Sequence, residues 1–243
     1  MGEIAINGPK VLWELPESIP LIGGQPITET MRNAWIVMLF ILILCVTLTW
    51  HMKKIPKGKQ VLAEKAVLMI DNLVDTSMGE GCHSFSPYIA TLLMFSFFGS
   101  LASLFFMRPV TGDLNTTLGW ALMTFVLITF NNIKYKGFGG YLKGFLEPVF
   151  VMAPLNVLSE IATPVSMSFR HFGNIAGGLV ISTLILGALQ ALSNLVVGFL
   201  PVPLLQVGLP GILSLYFDLF TSAMQAFIFS MLTMAYVGNA REA

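Results

Sequence analysis

Between residues 148 and 240 the chain carries three formally charged side chains, Glu160, Arg170 and Asp218, each set in sequence apolar enough to lie in a lipid bilayer. A permanently protonated guanidinium at membrane depth costs about 2.5 to 3.5 kcal/mol on insertion scales, so it is kept where it faces protein or water and has work to do. Arg170 is therefore the first candidate functional residue. A carboxylate at such depth is expensive and changes protonation when desolvated, which puts a functional role for Asp218 and Glu160 ahead of a structural one. That reading weakens for Glu160 if it lies at the interface, where a charge is cheap.

Two turns of α-helix take about 7.2 residues, so a step of seven returns to nearly the same face. Asn156, Thr163, Arg170, Asn174 and Gly177 share such a face, with Ser159, Glu160 and Ser166 close beside it. Ser214, Asp218, Thr221, Ser222 and Gln225 form a second stripe on a later segment. Two polar stripes facing each other, or facing a third partner, would line a hydrated cleft inside the membrane, the setting of proton and ion relays.

Serine and threonine in membrane helices mostly bond to their own backbone or to a neighbouring helix, so Ser214, Thr221, Ser222, Thr163 and Ser166 read first as structural. Asn174 and Gln225 divide evenly between interhelical bridging and function. His171 adjoins Arg170 but points about 100° away from it on a helix, and a hydrogen-bonded structural role leads there, with proton transfer second.

The elements that must hold these groups follow from composition. Of 243 residues 55% are hydrophobic and 11% charged, and mean hydropathy is +0.78, far from the roughly 25% charged of soluble domains. The expected fold is an all-α integral membrane protein. Formal net charge is zero, so no nucleic-acid partner is implied. Cys45 and Cys82 read as unpaired thiols, and the first residues lack the basic-then-apolar pattern of a cleavable signal peptide.

A span needs about 20 apolar residues to cross about 30 Å of hydrocarbon. Residues 32–52, 85–107 and 116–134 each meet that requirement, after an outside segment at 1–30. Residues 149–199 run too long for one perpendicular crossing, and must tilt, break or lie partly flat. Pro148, Pro154 and Pro164 mark starts or kinks there, and GFLPVPLLQVGLPG (198–211) reads as the turn of a long tilted hairpin whose second arm is 209–238. Residues 60–80 interleave apolar and charged positions as an interfacial amphipathic helix does. About five membrane-embedded helices in a single membrane domain result. Lys53, Lys54, Lys57, Lys59 and Lys65 after the first span, and Lys134, Lys136 and Lys143 after the third, put the N-terminus outside and the C-terminus in the cytoplasm.

No GxxxxGK[ST], HExxH or GxSxG occurs, so phosphate-loop, zinc-protease and serine-hydrolase chemistry find no support and no cofactor or resident metal is expected. An intramembrane aspartyl protease needs two carboxylates sharing a proton, and Glu160 lies on the other arm from Asp218. An ion-coupled secondary transporter normally comes with two related halves, and no internal symmetry is visible.

The segments PLNVLSEIATPVSMSFRHFGNIAGGLVIS (154–182) and AMQAFIFSMLTMAYV (223–237), with GDLNTTLGWAL (112–122) and KYKGFGGYLKGF (134–145), resemble subunit a of the F-type ATP synthase. The resemblance implies a stator ion-channel subunit, not catalytic by itself, that passes H+ or transient Na+ through two half-channels in a bacterial plasma (inner) membrane. Implied partners are the c-subunit ring, the b-subunit stator stalk, the remainder of the F1Fo complex and membrane lipid. Arg170 matches the family's essential arginine, Asn174 its asparagine one turn on and Gln225 the glutamine of the final helix. Glu160 matches an acid of the cytoplasmic half-channel. Asp218 falls where many members place a histidine or another polar group of the outer half-channel, and Ser214 and His171 join the implied ion pathway. Two departures stand out: relatives often read AGE where Leu179 follows AGG here, and His171 stands where leucine is common. The missing acid leaves Asp218 as the sole carboxylate expected on the outer side.

Overall fold

The computed structural model describes residues 8–14, 24, 26–79, 81–105, 107–147, 149–196 and 208–242. Pro148 and most of the expected hairpin turn lie outside the described residues. Among the described residues five helical stretches are long and apolar enough to cross a membrane: Glu29–Thr49, His83–Phe105, Leu114–Gly144, Phe150–Leu195 and Gly211–Arg241. Helices suit hydrocarbon because they satisfy every backbone N–H and C=O internally.

The chain opens with a short antiparallel ribbon, β1 (Val11–Glu14) against β2 (Pro26–Thr28). Its pairing joins residues well apart in sequence, so the local pattern of the N-terminal segment gave no sign of it. Thr28 then caps α1 (Glu29–Thr49), its hydroxyl accepting from the Met31 N–H at 3.4 Å.

Helix α2 (Lys59–Met78) has two unlike faces. Val61, Leu62, Val67, Leu68 and Met69 are exposed, whereas Val74 and Met78 are buried with Cys82, Ile89, Met234 and Val237. The amphipathic segment therefore docks one edge on the final helix and leaves an apolar face outward. The approach is close: a Cβ on Gly238 would stand 3.3 Å from the Met78 Cα.

Helix α3 (Ser86–Leu101) has Pro87 in its first turn, a place where the missing N–H loses no bond. Helix α4 (Leu114–Gly144) is capped by the Asp113 carboxylate, which accepts from the Asn115 N–H at 3.0 Å. It breaks at Gly137, whose φ of 71° and ψ of 162° only glycine adopts easily.

Helix α5 (Ala153–Val196) runs 44 residues with Pro164 inside it and no break. At 1.5 Å per residue it is about 66 Å long, so of the three alternatives for residues 149–199 the break is ruled out within the described part. Beyond the undescribed turn come α6 (Leu209–Ser214), a π-helical stretch Leu215–Phe220, and α7 (Thr221–Glu242).

Between helices the interior joins rings and hydroxyls. Trp120 stands edge-on to Phe95, His171 and Phe229 at 5.3, 5.9 and 6.3 Å between centroids. Hydroxyl pairs Ser100–Thr111 (2.7 Å), Thr117–Ser168 (3.1 Å) and Tyr88–Thr124 (3.2 Å) tie helix to helix or helix to loop. Without a hydrophobic drive between helices in lipid, such packing and polar contacts hold a bundle together. Cys45 and Cys82 are both free thiols.

Candidate functional site

Helix α5 sorts its residues by face. Met167, Ser168, His171 and Ile175 are buried in the bundle, while Arg170 and Asn174, four residues apart, are exposed on another side. Among the described residues Arg170 has no ion pair, the three present being Arg32–Glu29, His83–Asp71 and His83–Asp75. No acid among the described residues neutralises the guanidinium's charge.

His171 is directed inward, 1% exposed. Its Nε2 lies 3.4 Å from the Ser96 hydroxyl, and its ring meets Trp120 and Phe229 edge-on at 5.9 and 5.6 Å. The Nδ1 is buried without a partner among the described residues. The structure thus separates His171 from Arg170, as 100° of helical rotation requires.

Glu160, nearly three turns before Arg170, is half-buried. A polar cavity of about 320 Å³ opens beside it, lined also by Asn132, Lys136, Tyr141, Asn156 and Thr163. The Tyr141 hydroxyl donates to Glu160 Oε1 at 3.2 Å. Asn156 donates to the Phe145 and Glu147 carbonyls at 2.9 and 3.0 Å, fastening the chain after α4 to the start of α5. Asn132, Lys136 and Tyr141 were not foreseen as cavity residues. The signal was the glycine-rich KYKGFGGY, where the break at Gly137 lets the end of α4 change direction.

Asp218, also half-buried, sits in the π-helical stretch. The Thr221 hydroxyl donates to the Tyr216 carbonyl five residues back at 3.1 Å. Single π turns inside α-helices recur at functional sites. The π turn interrupts the α-helical spacing of the second stripe, yet its residues all lie on the side turned from solvent, while Leu215, Tyr216, Leu219 and Phe220 are exposed. Ser214, Asp218 and Thr221 remain half-buried while Ser222 and Gln225 are fully buried, the Ser222 hydroxyl without a partner among the described residues. The Leu179 side chain packs toward Gly112, where an added Cβ would meet its Cδ1 at 3.9 Å.

Glu160 therefore takes its hydrogen bond from Tyr141 and not from a second acid. A cation left unbalanced at membrane depth, with one carboxylate on a polar cavity and another at a π turn, belongs to a multi-pass membrane protein that conducts ions. Residues 31–238 match the family described as ATP synthase A chain. The chain belongs to that family.

Similar proteins cover nearly the whole length. The sodium-ion-specific ATP synthase subunit a of Propionigenium modestum is 30% identical across 96% of this chain and 84% of its own. ATP synthase subunit a of Moorella thermoacetica is 32% identical across 92% of this chain and 95% of its own. The chloroplastic subunit of Oedogonium cardiacum is 32% identical across all of this chain and 91% of its own.

Proposed function

We propose that the chain works as the ion-channel stator subunit of a rotary F-type ATP synthase, with Arg170 as the electrostatic gate between two half-channels. Its reading partners are the c-subunit ring, the b-subunit stalk and the rest of the F1Fo complex. The chain contributes ion translocation and not catalysis, in a bacterial plasma membrane with its N-terminus outside. The single observation that carries the residue assignment is the outward placement of an unpaired Arg170 on α5.

An ion enters from outside past Asp218, neutralises a c-ring carboxylate, rides the ring through nearly a full turn and leaves through the polar cavity at Glu160. The carboxylate must be neutral while it faces lipid, because a bare charge there is too costly. Arg170 cannot be deprotonated, so it favours the ionised carboxylate arriving opposite it and repels any cation that would leak straight through. Asn174, one turn along the same face, and the buried Gln225 order the water and side chains around that gate. The likeness to a sodium-ion-specific relative leaves H+ and Na+ both suited as the carried ion.

Arg170→Ala in the assembled complex abolishes ATP-driven ion pumping in reconstituted vesicles while the complex still co-purifies with its ring and soluble head. Normal pumping by that variant refutes the gate.

A further inference from the structure

A second polar cavity, of about 270 Å³, lies at the Lys-rich end of α4, where its Asn131, Lys134 and Tyr135 interleave with Asn132 and Lys136 of the separate Glu160 cavity. Its polar lining comes from Ser84, Asn131, Lys134, Tyr135 and Arg241, and no acid among the described residues lines it. The nearest part of α2 offers Asp71 and Asp75, which are turned to His83 at 3.9 and 3.4 Å. Arg241 is held in place by the rings of Tyr135 and Phe85, 5.3 and 5.9 Å from its Cζ, and its Nη1 contacts the Cys82 sulfur. Its Nε is a buried donor with no acceptor among the described residues. Two cations and an unspent N–H around one cavity are the chemistry of a phosphate site.

The lower wall is apolar. Leu127 and Phe130 close it, and Leu127 also lines a groove of about 510 Å³ with Tyr88, Gly119, Leu122, Met123 and Val126. From Leu127 to Gly119 that groove follows α4 for about 12 Å, most of one leaflet's hydrocarbon. Gly119 keeps it open, since an added Cβ there meets no atom within 4 Å. A basic cavity at the membrane surface running into an apolar groove has the shape of one lipid, and basic pockets between helices on the cytoplasmic side take acidic headgroups.

We infer that the juxtaposition of Lys134 and Arg241 above the Leu127–Gly119 groove is a binding site for a single anionic phospholipid, its phosphate between the cations and an acyl chain along α4. The occupant is a lipid and not free phosphate because the apolar groove continues from the basic cavity. The site lies outside the ion path, so its failure and that of the gate are separable.

The test uses the assembled complex in nanodiscs of phosphatidylcholine with about one quarter phosphatidylglycerol, extracted and weighed by native mass spectrometry. The wild type retains phosphatidylglycerol over phosphatidylcholine by about tenfold. Lys134→Gln with Arg241→Gln brings the two to parity. Lys134→Gln alone, at an exposed position, lowers the preference severalfold should the double variant not assemble. Gly119→Leu fills the groove and lowers retention with both cations intact. Equal retention by the double variant, equal binding of phosphatidylcholine, displacement by millimolar inorganic phosphate, or a cross-link from Lys134 to another subunit each overturns the site.

Discussion

Gly178 of α5 lies against Phe217 of the π-helical stretch so closely that a Cβ on the glycine would stand 3.1 Å from the ring's Cδ1. The residue after that phenylalanine is Asp218. The contact sets how near the half-buried carboxylate comes to the long helix that carries Arg170, and any side chain at position 178 would press on the ring.

Gly178→Val forces the phenylalanine and its π turn away, with overpacking of about 1 to 3 kcal/mol. Assembly persists at reduced thermal stability, and coupled ion transport drops together with it. Transport and melting temperature both at wild-type values would show that the contact gives way freely.

Asp218→Asn removes the carboxylate proposed for the outer pathway while keeping size and hydrogen bonding. Ion delivery to the ring slows, and the pH dependence of ATP-driven pumping shifts from that of the wild type. An unchanged profile would return the residue to a structural role.

At the other cavity, Glu160→Gln slows ion release, and Tyr141→Phe slows it less by withdrawing the hydroxyl that holds the carboxylate. A bond to a carboxylate contributes about 1.5 to 3 kcal/mol when shielded and less at this half-exposed site, so the tyrosine effect is severalfold. The double variant is no slower than Glu160→Gln alone, because one substitution already removes the shared interaction. Additive losses in transport rate would separate the two residues.

His171→Leu leaves pumping intact. The substitution deletes a buried Nδ1 that has no partner among the described residues, but it also leaves the buried Ser96 hydroxyl without its long contact and removes the edge-on packing on Trp120 and Phe229. The melting temperature of the complex therefore falls while transport persists. Abolished pumping with normal assembly would put the imidazole in the ion's path.

Local pattern carried much of the architecture. Three apolar runs and the sharing of one face by Arg170 and Asn174 follow from hydropathy and the 3.6-residue turn, whereas the unbroken run of α5 through Pro164 does not. The inward direction of His171 follows too, since adjacent residues diverge by about 100°. The polar stripe on the last arm was legible as spacing but its π turn was not: nothing in LYFDLF distinguishes a π turn from an α turn.

The sequence by itself determined that the chain spans a membrane and that a few isolated charges must work within it, because the cost of placing a charge in hydrocarbon depends on residue type and not on partners. Tertiary structure decided which charges stand alone and which are engaged. A positive φ at Gly137 turns the end of α4 so that Tyr141 reaches Glu160, α2 docks its Val74 and Met78 on α7, and Phe217 settles on Gly178. Such contacts join residues many turns apart, and they are fixed by how whole helices fit together, which no local periodicity records.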